Sequence, residues 1–281
     1  MRLLVWLPIA MAVLAAAQSE PGPSSKPNLL RTRIYSDPLT ILGQLQSSLP
    51  ADRRAGFLSL GFTADDDDVG FSPVARLLFE NLDEDDDLEA VLGFERMGTA
   101  IVVVLDKSEG VWWKAGQFTS GSRESGNLGR TMDMQSLIED GRSELIIRDS
   151  DGGTDIAETH VSIYRLEGGH LRRVFRVTAE AKYRVVGAQG AGTATYERAW
   201  LYYPDRKIAG APIIVVSRAK AVIGSTPDLE LDRKLRIAPS ACEVYCWNTV
   251  RREFVVDDSR ASIFCGDGAV KAKGGRRAAK P

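Results

Sequence analysis

Strand-and-turn patterning dominates the chain from Val74 onward and constrains its fold more than any other feature. Short runs of β-branched and aromatic residues are separated by Gly, Asp and Asn, which is typical of antiparallel strands joined by tight turns. The pattern therefore predicts a mostly β protein. It predicts three hairpins in particular: 101–118 turning at 107–110, 161–177 turning at 168–169, and 243–256 turning at 248–252.

The hairpins recur with a regular lead-in. Each of the first two follows a segment in which acidic residues give way to aliphatic ones, with Glu89 and Glu144 in corresponding places, 55 residues apart (144 − 89). Before the third hairpin, residues 210–216 fill that place without acids. A period of about 50 residues with about four strands per unit is typical of β-propeller blades and related repeats. Because an ordinary propeller has at least about four blades, a degenerate, partial propeller-like arrangement of antiparallel hairpins and a β-sandwich both remain open.

A short N-terminal helix is predicted ahead of the strands. Asp37 suits the N-cap position, and Pro38 suits the first helical position, where its missing N–H costs nothing. Apolar residues follow at helical spacing, so we expect a helix from Pro38 to about Ser48.

The chain ends suggest export. Residues 1–17 have the pattern of a signal peptide: Arg2, an apolar stretch, and small residues for cleavage near Ala17. Residues 18–30 are a Pro-rich linker, 31–268 the β-repeat domain with its helix, and 269–281 a basic tail whose composition is typical of disorder. No other segment is long and apolar enough to span a bilayer. We therefore expect an extracytoplasmic protein, periplasmic or secreted, without a transmembrane segment.

The three cysteines allow at most one intramolecular disulfide. In an extended strand, Cys242 and Cys246 would lie about 13 Å apart, beyond the ~7 Å Cα separation that a disulfide tolerates. Either of them can pair with Cys265, and the sequence leaves that choice open.

An acidic loop is the strongest candidate for a ligand site. Seven of the ten residues from Glu80 to Glu89 are acidic, and an apolar strand follows at once. Four side chains stand at positions 1, 3, 5 and 9 of a D-x-D-x-D-G-x-x-D spacing, and a fifth residue at position 7 offers its backbone carbonyl. Calcium takes six to eight oxygen ligands, which such spacing supplies. A solvated acidic turn is the alternative. The predicted metal ligands are Asn81, Asp83, Asp85, Asp87 and Glu89.

The loop and the strand after it, residues 81–94, resemble the FG-GAP/VCBS repeats of secreted β-propellers, whose blades carry calcium loops of this spacing. The second unit keeps Asp140, Gly141 and Glu144, whereas Asp86 stands where the family has Gly. In architecture the resemblance covers about residues 74–256. It implies a β-repeat protein that uses calcium as a structural cofactor.

Catalytic motifs are absent from the sequence: there is no G-x-S-x-G elbow, Walker A, H-E-x-x-H or C-x-x-C, and no catalytic residue is predicted. A formal net charge of -2 does not select nucleic acid as a partner. We expect a non-enzymatic binding or interaction module for a protein or carbohydrate ligand. The alternative is a secreted glycoside hydrolase-like enzyme, which needs only an Asp/Glu pair at a set separation.

Overall fold

The computed structural model describes residues 31–69, 74–96, 99–120, 131–152, 156–186, 192–205, 209–223 and 239–265. The described residues from Thr32 to Cys265 belong to one compact unit. The predicted signal peptide, the Pro-rich linker and the basic tail lie outside the described residues. Among the helices described, none has the length and apolar character needed to cross a membrane.

Two antiparallel sheets make up most of the described chain, which confirms the prediction of a mostly β fold. The five-stranded sheet has the order β1-β5-β4-β3-β2, and the eight-stranded sheet runs from β13 to β6 in reverse sequence order. The strands are β1 (Thr32–Ile34), β2 (Ala75–Glu80), β3 (Glu89–Arg96), β4 (Thr99–Ser108), β5 (Val111–Ser120), β6 (Met132–Gln135), β7 (Glu144–Gly152), β8 (Ile156–Glu167), β9 (His170–Val186), β10 (Gly192–Tyr202), β11 (Ile213–Ile223), β12 (Ala241–Asn248) and β13 (Glu253–Val256). The helices are α1 (Pro38–Gln46), α2 (Pro50–Ser59), α3 (Asp66–Val69) and α4 (Ala261–Phe264).

All three predicted hairpins are present. The β4–β5 turn is Glu109-Gly110 and the β8–β9 turn is Gly168-Gly169, and all four of these residues have positive φ. Two-residue turns of this handedness match the twist of the flanking strands, which is why glycine is favoured there. The first hairpin belongs to the five-stranded sheet, and the second and third, β8–β9 and β12–β13, belong to the eight-stranded sheet.

The helices cover one face of the five-stranded sheet. The Asp37 carboxylate accepts the Leu39 N–H at 2.8 Å and caps α1, as predicted, and the helix ends at Gln46. Its buried side chains pack with those of α2 against alternate residues of β3 and β4. This helix-side core contains Ile41, Leu45, Phe57, Leu60, Leu92, Phe94, Ile101, Val103 and Leu105.

The opposite face of the same sheet packs against the eight-stranded sheet. Val91, Val102 and Val104 lie in one cluster with Leu145 and Ile147 of β7, so β3 and β4 are buried on both faces. Strands β5 and β9 approach each other closely, because a Cβ on Gly116 would lie 2.4 Å from Leu171 Cδ1. The arrangement is a helix layer on a sandwich-like pair of sheets.

The eight-stranded sheet folds over itself at β9 and β10. These strands pair from Val186–Gly192 only as far as Glu180–Arg198, after which β9 continues beside β8 and β10 beside β11. Phe175 of β9 then packs its ring 5.0 Å from Tyr245 and 6.1 Å from Phe254. The β6–β9 half and the β10–β13 half therefore enclose a core of their own.

A disulfide fastens the C-terminal end of the described chain. Cys242 on β12 is bonded to Cys265, with their Cα atoms 5.6 Å apart, and this settles the choice that the sequence leaves open. Cys246 is a free thiol, and its Sγ lies 3.4 Å from Asp257 Oδ2.

Candidate metal centre

Three carboxylates converge below the acidic loop that joins β2 to β3. Asp83 comes from the loop, Glu89 is the first residue of β3, and Asp106 lies near the end of β4. Ala90 pairs with Leu105, so the next pair along the ladder places Glu89 opposite Asp106. One oxygen from each of the three carboxylates lies within 4.8 Å of the others.

The other predicted ligands lie outside this group of three. The Asn81 amide donates to the Asp85 carbonyl at 2.9 Å, while its buried Oδ1 makes no hydrogen bond to any described residue. The Asp85 carboxylate accepts the Asp87 N–H at 2.8 Å, and Asp87 forms an ion pair with Lys107 at 3.2 Å. Of the predicted ligands, only Asp83 and Glu89 belong to the group of three carboxylates. The third member, Asp106, was not among the predicted ligands.

Glu89 is the most constrained of the three acids. It is fully buried, and its Oε2 accepts the Leu82 N–H at 2.6 Å. Its Oε1 is buried and makes neither a hydrogen bond nor an ion pair with any described residue. Burial, opposed by the Leu82 N–H and reinforced by the charges of Asp83 and Asp85, raises the pKa of Glu89 to about 7. Burial also raises the pKa of Asp83.

A cation between these oxygens would remove the energetic conflict. Leaving a buried carboxylate without a partner costs several kcal/mol, which is why buried charges are normally paired or bind metal. Two oxygens on opposite sides of a calcium ion would be about 4.6–5.2 Å apart, from a Ca–O distance of 2.3–2.6 Å. Three oxygens that all lie within 4.8 Å of one another can therefore contact a single ion.

The second unit repeats this arrangement 55 residues later. Glu144 is the first residue of β7, is fully buried, and accepts the Leu137 N–H at 2.7 Å through Oε2. In the first unit Glu89 accepts from Leu82 in the same way, and each leucine precedes its glutamate by seven residues. Corresponding loops in the two units are therefore held by the same backbone-to-carboxylate contact.

The partner on the adjacent strand differs in charge. Leu145 pairs with Tyr164, so Arg165 lies opposite Glu144 just as Asp106 lies opposite Glu89. The Arg165 guanidinium is 2% exposed and lies 3.4 Å from Glu144 Oε1 and 2.6 Å from Asp140 Oδ2. Strand β8 thus places a cation beside the second loop, whereas β4 places a third acid beside the first.

The two loops also contact each other. The Ser143 N–H donates to the Asn81 carbonyl at 2.8 Å, and the Ser143 hydroxyl donates to Glu80 at the same distance. Arg142 forms an ion pair with Glu84 at 3.0 Å. These contacts join the acidic loop, which belongs to the five-stranded sheet, to a loop of the eight-stranded sheet.

Among the described residues of the third unit, no acid stands at the start of β11 to correspond to Glu89 or Glu144. Its strand β11 begins at Ile213 and follows Pro212, whose carbonyl accepts the Trp247 N–H at 3.0 Å. The Trp247 ring lies 5.5 Å from the Arg165 guanidinium carbon, so this unit contributes an aromatic face to the second loop. This agrees with the loss of the acidic segment that its sequence shows.

No protein-family model, curated protein or solved structure matches this chain.

Proposed function

We propose that this chain is a non-enzymatic binding module of the periplasm or the extracellular space, built from degenerate FG-GAP/VCBS-like repeats and stabilised by one calcium ion. The observation that carries the proposal is the convergence of Asp83, Glu89 and Asp106 at the place where the second unit has Arg165.

Calcium suits the donor set better than other common metals. The three acids offer only oxygen ligands, and the unpaired Oδ1 of Asn81 in the same loop is a further oxygen donor. Zinc sites rely mainly on Cys and His, whereas calcium takes six to eight oxygens in flexible geometry. Magnesium demands a near-ideal octahedron and keeps several waters, which a buried loop site accommodates poorly.

Burial favours a stabilising role for the ion over a catalytic one. Glu89 is fully buried and Asp106 is 3% exposed, so an ion held by them has little room for substrate. Catalytic metal sites keep an open coordination position. An ion that binds only the folded chain raises its stability according to its concentration and affinity.

The proposed compartment is consistent with this chemistry. The leader-like residues 1–17 and the Cys242–Cys265 disulfide both support export. Extracellular calcium modules bind with dissociation constants of about 10⁻⁴–10⁻³ M, which matches the calcium available outside the cytoplasm.

Thermal unfolding of the mature chain in EDTA and in calcium tests the proposal. Saturation at about 100 times the dissociation constant stabilises by about 2.7 kcal/mol, or roughly 5–10 °C in Tm for a domain of this size. Asp106→Asn should abolish the calcium response. It should also raise Tm in EDTA, because one of three crowded acids is removed.

Asp86→Asn is the matched control for that experiment. It removes one carboxylate from the same loop, but Asp86 is exposed and lies outside the group of three. Its calcium response should equal that of the wild type. A wild-type Tm that does not respond to calcium at about 10–100 mM, which is 100 times a dissociation constant of about 10⁻⁴–10⁻³ M, would contradict the proposal.

A further inference from the structure

A cleft opens where β9 and β10 part. Beyond the Glu180–Arg198 pair these two strands no longer share a ladder, and the gap forms part of a cavity of about 670 Å³. One face of β6, β7 and β8 forms its floor, with Ile146 and Val161 as apolar positions, and the end of β10 forms its wall. Ligand pockets are typically about 300–1,000 Å³ in volume, with an apolar base and a few polar groups.

Three side chains that can donate hydrogen bonds line this cleft and have no acceptor among the described residues. The side chains of Arg148, Trp200 and Tyr203 have no hydrogen bond to a described residue, whereas the backbones of Arg148 and Trp200 belong to the β7–β8 and β10–β11 ladders. Burial raises the pKa of Tyr203 to about 12, with Arg148 lowering it and Asp133 raising it, so the hydroxyl keeps its proton at neutral pH. Trp200 is 40% exposed, so part of its indole ring is open to solvent. These groups suit a ligand rich in acceptor oxygens.

The formal charges in the cleft cancel. Arg198 forms an ion pair with Glu180 at 2.8 Å, which neutralises both. The remaining lining charges are those of Arg148 and Asp133, and the Asp133 carboxylate already accepts from Met134 N and Gln135 Nε2. A strongly anionic ligand such as a nucleic acid would find no net positive field here.

We propose that this cleft binds a neutral oligosaccharide. A pyranose ring has an apolar C–H face that can stack on the open part of Trp200, and a rim of hydroxyls that can accept from Arg148 and Tyr203. On the β6 part of the floor, Gln135 Nε2 already donates to Asp133 Oδ2, and the Gln135 carbonyl oxygen is left to accept from a sugar hydroxyl. The inference rests on the proposed binding function and names its ligand class.

Native affinity electrophoresis of the calcium-loaded mature chain tests it, with soluble neutral polysaccharides cast in the gel: dextran, laminarin, galactomannan and xylan. At least one should retard the wild type. Trp200→Ala should weaken that retardation about tenfold, since stacking on an aromatic ring contributes about that factor. Arg148→Ala removes an exposed side chain that has no hydrogen bond to a described residue and leaves the β7 backbone in place, and it should weaken retardation as well.

Tyr202→Ala is the control, because Tyr202 neighbours Trp200, is 61% exposed and does not line the cleft. Its retardation should equal that of the wild type. No retardation by any of the four polysaccharides, or retardation unchanged in both Trp200→Ala and Arg148→Ala, would overturn the saccharide assignment.

Two further readouts separate this inference from the proposed function. Release of reducing ends from a retarding polysaccharide would keep the saccharide assignment and refute the non-enzymatic function. Selection of peptides from a random library by the wild type but not by Trp200→Ala would keep the binding function and refute the saccharide assignment.

Discussion

Glu89 and Glu144 occupy the same structural position 55 residues apart: each begins a strand, is fully buried, and accepts the N–H of a leucine seven residues before it. The two glutamates differ in what faces them across the ladder, which is Asp106 for Glu89 and Arg165 for Glu144. The backbone arrangement is shared, so the two loops differ mainly in the charge opposite the glutamate. In the proposed function, a calcium ion at the first loop takes the part that Arg165 has at the second.

Arg165 should be essential to the second loop. Arg165→Ala leaves Glu144 buried without its cation, and breaking a buried ion pair from one side costs about 3–5 kcal/mol. Urea unfolding in calcium measures the loss in free energy of unfolding. Arg251→Ala is the comparison, since its 69% exposed ion pair with Glu253 should contribute less than about 1 kcal/mol. Similar losses in the two variants would show that Arg165 has no special role.

Acid should weaken the second loop between about pH 4 and pH 2. Burial alone would raise the pKa of Asp140, but hydrogen bonds and charges from Arg142 and Arg165 lower it to about 2. A carboxyl whose folded pKa is depressed stabilises the fold above its ordinary pKa of 3.8, and that contribution disappears as pH falls toward the folded value.

The measurement is the free energy of unfolding at pH 4.5, 3.5 and 2.5 for the wild type and for Asp140→Asn. The advantage of the wild type over the variant should shrink steadily across this range, because only the wild type has the titrating carboxyl. A constant difference at all three pH values would exclude the Asp140 ion pairs as its source.

Gly116 should be required where β5 meets β9. Gly116→Ala places a Cβ 2.4 Å from Leu171 Cδ1, and overpacking of this kind costs about 1–3 kcal/mol. The same substitution at Gly43, in the exposed face of α1 with no atom within 4 Å, should stabilise by about 0.5–1 kcal/mol. Opposite shifts in Tm are expected, and a neutral Gly116→Ala would show that the sheets separate more readily than their packing indicates.

Local chemistry made much of the fold predictable. The positive-φ glycines of the turns locate the hairpins, and the Asp37-Pro38 pair locates the start of α1. The 55-residue offset between the two acidic segments likewise predicts that Glu89 and Glu144 occupy equivalent positions. These signals depend on neighbours in sequence, which is why they can be read without the structure.

Asp106 was missed because its role depends on strand register. It follows an apolar run of β4, and nothing nearby in sequence marks it as different from an ordinary strand residue. The Glu109-Gly110 turn sets the register of β4 only against β5. The position of Asp106 opposite Glu89 depends on the separate β3–β4 pairing. The cleft between β9 and β10 is harder still to predict, since two long strands give no sequence signal for where their ladder ends.

Asp106→Arg places an arginine opposite Glu89, as Arg165 lies opposite Glu144. The variant tests whether an arginine side chain can replace the proposed calcium ion. Thermal unfolding should show a variant that no longer responds to calcium and that melts in EDTA near the temperature of the calcium-loaded wild type. Asp106→Lys supplies a smaller cation at the same buried position and should shift Tm in the same direction. If both variants melt in EDTA below the wild type in EDTA, or still gain Tm from calcium, then no cation occupies the place between Asp83, Glu89 and Asp106.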